Sequence, residues 1–264
     1  MHRTLRSFAM LLALSLACSA CSMLPARPDT GRFVKRELVL DGATYRYQVF
    51  VPAQAAGGRQ PPVILFLHGS GERGNDGEKP AAVGLGPHVR AHLQDFPAIV
   101  VFPQAPENAE WSGASESLAL RTLDAATLEF HGDIRRTYLT GLSMGGYGVW
   151  ELALLQPQRF AALVTISGAI LPPDDERQLF VTPVAGEADP YAALARRLRA
   201  VPVWIFHGAK DDVVPLKDDR RTAAALKAVG GDVRYTELPD ANHNAWDPAY
   251  AMPELWTWLF AQHR

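Results

Sequence analysis

Cysteine is almost missing from this chain: of its 264 residues only Cys18 and Cys21 carry a thiol, and both stand near the N-terminus. The remainder therefore has no disulfide, no thiolate metal site and no cysteine nucleophile. A surplus of charge is missing too. The 26 Lys and Arg against 28 Asp and Glu give a formal charge of −2. No global basic excess points to nucleic acid, and no acidic excess points to a solvating or calcium-loaded chain. Repeats and low-complexity stretches are absent. What is present, 48% hydrophobic and 20% charged residues, is the mixture of a globular chain with a large core, which excludes disorder as the main state. One domain suffices, because α/β folds of this length often form a single unit.

The first 21 residues differ in composition from all that follows. His2, Arg3 and Arg6 open a basic stretch, and no Asp or Glu precedes Asp29. Residues 8–17 (FAMLLALSLA) form an apolar run of ten, too short to span a bilayer but right for the core of a signal peptide. Ala17 precedes Cys18 and Ala20 precedes Cys21. The segment resembles a bacterial lipoprotein signal, in which the cysteine after a small-residue lipobox is acylated and becomes the new N-terminus. That resemblance implies lipid on Cys18, with Cys21 as the alternative; ordinary cleavage, giving a freely exported protein, is the remaining reading. Residues 1–17 are then the signal, and 18–32, with Pro25, Pro28 and Gly31, a flexible tether. Residues 33–264 are the folded domain, held by lipid at a bacterial cell envelope and facing the periplasm.

Along that domain strand-like runs alternate with helix-like ones, which predicts a mostly parallel sheet with helices on both faces. Residues 36–40 and 45–51 flank Asp41-Gly42, a hairpin signal that adds two antiparallel strands at the start. VILFL at 63–67 and IVVF at 99–102 are continuous apolar runs, as strands buried on both faces should be. Ala119, Leu123, Ala126 and Phe130 recur at helical spacing within 115–130. Strand 138–142, helix 144–156 and strand 163–166 follow. The polar, proline-rich stretch 171–190 reads as an insertion or cap and not as core. Helix 191–198, strand 203–206, helix 218–229, strand 233–238 and helix 254–261 complete the order, with Gly230-Gly231 stopping the second of these helices.

Chemistry centres on Gly141-Leu142-Ser143-Met144-Gly145, a G-x-S-x-G between a predicted strand and a predicted helix. The turn is so tight that bulk at either glycine collides with neighbouring strands, and it presents the serine hydroxyl at the sheet edge in a strained conformation. Met144 begins the helix, so its N–H stands at the positive end of the helix dipole, ready for an oxyanion. A serine hydroxyl needs an adjacent base, itself oriented by a carboxylate. In the expected order of Ser, then acid, then His, the loop after VWIF offers Asp211 or Asp212, adjacent residues of which only one can serve. The next rim loop offers His243. Of eight histidines, only this one has the right place. His88 and His92 read as a solvated helix face, His131 closes a helix, and His263 is terminal.

The chain resembles the α/β-hydrolases, and over most of its mature length the small bacterial carboxylesterases of the phospholipase/carboxylesterase and dienelactone-hydrolase-like group. The residues that carry the resemblance are LHGSGERGND at 67–76, GLSMGGY at 141–147, the stretch from His207 to Pro215, and Asn242-His243. It implies the fifth residue of H-G-x-x-D-x-x-V-P, Asp211, as the acid, and the N–H groups of Ser70 and Met144 as the oxyanion hole. It implies a serine carboxylesterase that needs neither metal nor organic cofactor and acts on a small-molecule or polymer ester. Dienelactone hydrolases proper use cysteine where Ser143 stands, which sets their particular lactone chemistry aside. Prolyl oligopeptidases carry a propeller that this length does not accommodate. A peptidase or acyltransferase of the same fold is the enzymatic rival. A non-catalytic lipoprotein scaffold is the rival of another class, and a scaffold has no reason to keep Ser143, Asp211 and His243 in order.

Trp111 and Trp246 lie on predicted rim loops, either walling a substrate pocket or roofing the core. Glu72 and Arg73 read as a local ion pair fixing the loop beside Ser70, or as contacts to a polar substrate. Arg196, Arg197 and Arg199 read as a solvated helix face, and LWTWLF at 255–260 as a docked terminal helix.

Overall fold

The computed structural model describes residues 30–53, 60–174 and 177–264. The signal segment, Cys18, Cys21 and nearly all of the proposed tether lie outside these residues. Asp41 and Gly42 both take positive φ (51° and 79°), the backbone of the two-residue turn that their identity predicts. They join β1 (Arg32–Leu40) to β2 (Ala43–Val51) in antiparallel register, Arg32 opposite Val51. Strand β1 starts four residues earlier than its hydrophobic pattern suggests, because Phe33 packs its ring on Phe50 and Phe102.

Six further strands follow: β3 (Val63–Leu67), β4 (Ile99–Phe102), β5 (Thr137–Leu142), β6 (Ala162–Ile166), β7 (Val203–Gly208) and β8 (Val233–Leu238). The sheet order is β1-β2-β4-β3-β5-β6-β7-β8. Strand β2 pairs antiparallel with β4, and from β4 to β8 every pairing is parallel. Strands β3, β4, β5 and β6 are buried at every position, which is why VILFL and IVVF run apolar without alternation. One face of the sheet carries α2 (Ala114–Glu129), α3 (Met144–Leu155), α4 (Pro190–Leu198) and α5 (Leu216–Ala228). The other carries α1 (Leu85–Ala91), α6 (Trp246–Tyr250) and α7 (Pro253–Ala261). This is the α/β-hydrolase architecture that the resemblance implies.

Three sequence-based expectations change here. Residues 171–190 are not merely a polar cap: Leu179, Val181 and Val184 are buried in the core. Two carboxylates pin the segment to the domain. Asp218 accepts the N–H of Ile170 at 2.9 Å and the Tyr191 hydroxyl at 2.8 Å. Glu151 accepts the N–H of Thr182 at 2.7 Å. His88 and His92 do not form a plain solvated face, because His88 is half-buried and stacks on Trp256 at 5.0 Å. Burial, with His92 nearby, holds His88 down at about 4. Arg73 pairs with Glu110 and not with its neighbour Glu72, since consecutive residues on a turn direct their side chains apart.

Candidate active site

Parallel strands end together, so loops following β3, β5, β6, β7 and β8 converge on one rim. The narrowest of these turns joins β5 to α3. An added Cβ at Gly141 would lie 2.3 Å from the carbonyl oxygen of Gly145, and one at Gly145 would lie 2.0 Å from that of Leu67. Only glycine fits at either point. Between them Ser143 is held at φ 52°, ψ −121°, a conformation that costs on the order of 1–3 kcal/mol. Its N–H donates to Ile166 O at 2.9 Å, so the neighbouring strand fixes the strained residue. The serine is less open than the motif suggests, at 8% exposed, because Gly69 and His243 both sit against it.

Ser143 Oγ lies 2.9 Å from His243 Nε2, and His243 Nδ1 lies 2.9 Å from Asp211 Oδ2. The three side chains come from three different rim loops, up to 100 residues apart. Asp211 Oδ1 accepts the N–H groups of Val213 and Val214, each at 2.9 Å. Burial would raise the Asp211 carboxyl, but hydrogen bonds from His207, His243 and these two amides pull it well below the ordinary carboxylate range. Asp212 is exposed. The structure thus places the first of the two adjacent acids in the hydrogen-bonded row.

Met144 is the first residue of α3, and its N–H has no acceptor within the helix. Ser70 opens a short 3-10 turn, Ser70–Glu72, and its N–H is likewise free of that turn's own bonds. What stiffens this loop is His68, which is buried. Its Nδ1 donates to Gly69 O at 2.6 Å, and its Nε2 accepts the N–H of Ala105 at 3.0 Å. That arrangement requires the neutral ring, and burial holds it down at about 4. Gln104 adds a second brace, donating to Glu72 O at 2.9 Å and accepting the N–H of Gly77 at 2.7 Å.

The two tryptophans part company. Trp111 is 2% exposed and donates its indole N–H to His68 O at 2.9 Å. It roofs the core beneath the Ser70 loop and does not wall a pocket, because Gly148 lets its Cβ approach α3 closely. Trp246 is half-buried with its ring edge-on to His243, centroids 5.4 Å apart. It bears on the site through that imidazole.

Sequence reasoning passed over Arg177, which reaches from 171–190 to donate to Ser70 Oγ and lies 3.8 Å from Glu110. It also passed over Asp219, bonded to His207 Nδ1 at 2.8 Å. Nothing in the local sequence of either residue announces its partner. Among the described residues no three His, Cys, Asp or Glu side chains gather to hold a metal ion.

Comparison with known proteins bears on the family and the fold. The model of the Esterase family matches residues 41–244. A poly(3-hydroxyoctanoate) depolymerase of Pseudomonas fluorescens is 26% identical over 216 residues, covering 74% of this chain and 69% of that protein. Among solved structures, a thermostable esterase matches with a TM-score of 0.70 and 29% identity. That match covers 88% of this chain, which spans 63% of the esterase's length. A fluorophosphonate-binding serine hydrolase of Staphylococcus aureus, 19% identical, has a TM-score of 0.66 over 87% of this chain and 98% of its own, and it bears on fold alone.

Proposed function

The chain belongs to the Esterase family, and we propose that it is an exported serine carboxylesterase working through an acyl-enzyme on Ser143. The observation that carries this reading is the unbroken row from Ser143 Oγ through His243 to Asp211 Oδ2, with both contacts at 2.9 Å. Ser143 Oγ attacks the ester carbonyl carbon while His243 Nε2 takes its proton. The N–H groups of Met144 and Ser70 receive the negative charge that develops on the carbonyl oxygen. As the tetrahedral adduct collapses, His243 returns the proton to the leaving alkoxide and the alcohol departs. Water then repeats the sequence against the acyl-Ser143 ester, giving the acid and free enzyme. Throughout, Asp211 holds the imidazole in the tautomer with its proton on Nδ1 and stabilises the imidazolium that forms.

A fluorophosphonate probe tests the nucleophile, since it reacts with an activated serine and not with an ordinary hydroxyl. The expected result is one equivalent of probe, recovered on the peptide containing Ser143. Failure to label an enzyme that still hydrolyses p-nitrophenyl esters would sink the assignment. The depolymerase relative supports assaying polyesters of hydroxy acids beside small esters, and a panel varying acyl length and alcohol bulk separates the two.

Export rests on the N-terminal sequence. No helix among the described residues is long and apolar enough to cross a membrane, and one acyl chain binds a bilayer only marginally where several hold firmly. Cys18→Ser should therefore abolish metabolic labelling by a palmitate analogue, while Cys21→Ser should leave it. Label lost only in the Cys21 variant would move the site by three residues; no label in the wild type would make the enzyme freely exported or unexported.

A further inference from the structure

The hydrogen-bonded row does not end at Asp211. Its Oδ2, which faces His243, also lies 3.2 Å from Nε2 of His207, on β7. The other ring nitrogen of His207, Nδ1, lies 2.8 Å from Oδ2 of Asp219, on α5. Nε2 is in addition 3.0 Å from the carbonyl oxygen of Val214. The side chains of His207, Asp211 and Asp219 all have zero exposure. Each nitrogen of His207 therefore faces acceptors only. A neutral imidazole has a single N–H, and its lone pair would confront a carboxylate or carbonyl oxygen at hydrogen-bond distance. Acceptors on both sides suit a ring with a proton on each nitrogen. Asp219 gains from that charge, because its Oδ1 is buried with no hydrogen-bond partner among the described residues and an uncompensated carboxylate there is costly.

We propose that His207 is a positioning residue for the reaction: a standing imidazolium, clamped by Asp219, that aims the Asp211 carboxylate at His243 and offsets part of its charge. This rests on the serine-hydrolase reading. With amides on Oδ1 and two imidazoles on Oδ2, the carboxylate has no freedom to rotate.

Several other charged or titratable groups surround His207. Asp218 lies beside Asp219 on α5, and Tyr147 of α3 is within electrostatic reach of both. From β8 come Tyr235 and Glu237, the latter tied to Arg220 at 2.6 Å. Burial by itself would lower His207, but its bonds to Asp211 and Asp219 override this and hold the ring near 10. Burial raises Asp219 to about 6, with His207 opposing.

The test measures kcat and KM for a p-nitrophenyl ester from pH 5 to 10, on wild type and His207→Gln. Plateau kcat should fall roughly 10-fold as the carboxylate loosens, with KM within about twofold. A purely structural role lowers the yield of active enzyme, counted by fluorophosphonate, and leaves kcat per counted site unchanged. The second measurement needs no variant: 15N-histidine NMR of the wild type at pH 8.5 should show one imidazolium with both nitrogens protonated. Neutral spectra for every histidine of the enzyme would overturn the proposal, as would an unchanged kcat per counted site in His207→Gln when the wild type labels with fluorophosphonate. A wild type that neither labels nor hydrolyses would overturn the serine-hydrolase reading and this inference together.

Discussion

Ser143→Ala should hydrolyse p-nitrophenyl esters roughly 10⁶-fold more slowly than the wild type and should take up no fluorophosphonate. The loss is large because the hydroxyl is the attacking group and the methyl that replaces it has no lone pair to offer. The fold should survive. Alanine keeps the Cβ, so the strained backbone at φ 52° is neither relieved nor worsened. What disappears is one oxygen and its bond to His243 at 2.9 Å, about 1 kcal/mol in net terms. Circular dichroism melts of the two proteins should nearly coincide, which separates a chemical loss from unfolding. Turnover of the purified variant near the wild-type rate would remove Ser143 from the mechanism. A collapsed melting curve would instead show the elbow depending on the hydroxyl, against the geometry of a turn set by Gly141 and Gly145.

The row was readable in the sequence where backbone chemistry or chain order constrained it. Asp41-Gly42 names its own turn, the runs VILFL and IVVF name strands covered on both faces, and Gly141 and Gly145 mark a backbone approach no other residue permits. Ser143 and His243 followed from their places after strands. Asp211 and Asp212 did not separate on local grounds; the resemblance chose between them, and the hydrogen bonds agree. What stayed hidden is what depends on packing between distant segments. Asp219 looks like an ordinary acid in the first turn of a helix, stabilised by the dipole. Only the seating of α5 against β7 buries it on His207. Arg73 found Glu110, 37 residues away, where the sequence offered Glu72 next door. Trp111 and Trp246 carry the same local signal, a tryptophan in a rim loop, yet Gly148 admits one of them into the core while the other stands against His243. Short helices such as α6, five residues long, have too few turns to show a period at all.

Asp211→Asn should lower kcat by roughly 10³–10⁴-fold with little change in KM, whereas Asp212→Asn should cost less than about twofold. The reason lies in the donors around the buried carboxylate. Asparagine has one oxygen and one NH₂ where aspartate has two acceptors. The amides of Val213 and Val214, fixed at 2.9 Å from Oδ1, claim the oxygen. The NH₂ is then turned toward His243 Nδ1 and His207 Nε2, both of which were donating. His243 must accept there and carry its proton on Nε2, the tautomer that cannot take one from Ser143. Asp212, exposed to solvent, meets none of these groups. Stability gives a second reading of the same substitution. The native Asp211 carboxyl is held below its ordinary value, so it contributes stability that is fully present above about pH 4 and is lost as pH falls further. Urea midpoints of the wild type should drop through that acid range, and those of Asp211→Asn should drop less steeply while starting lower at pH 7. A larger catalytic loss in Asp212→Asn than in Asp211→Asn would shift the acid by one residue and dissolve the link to His207.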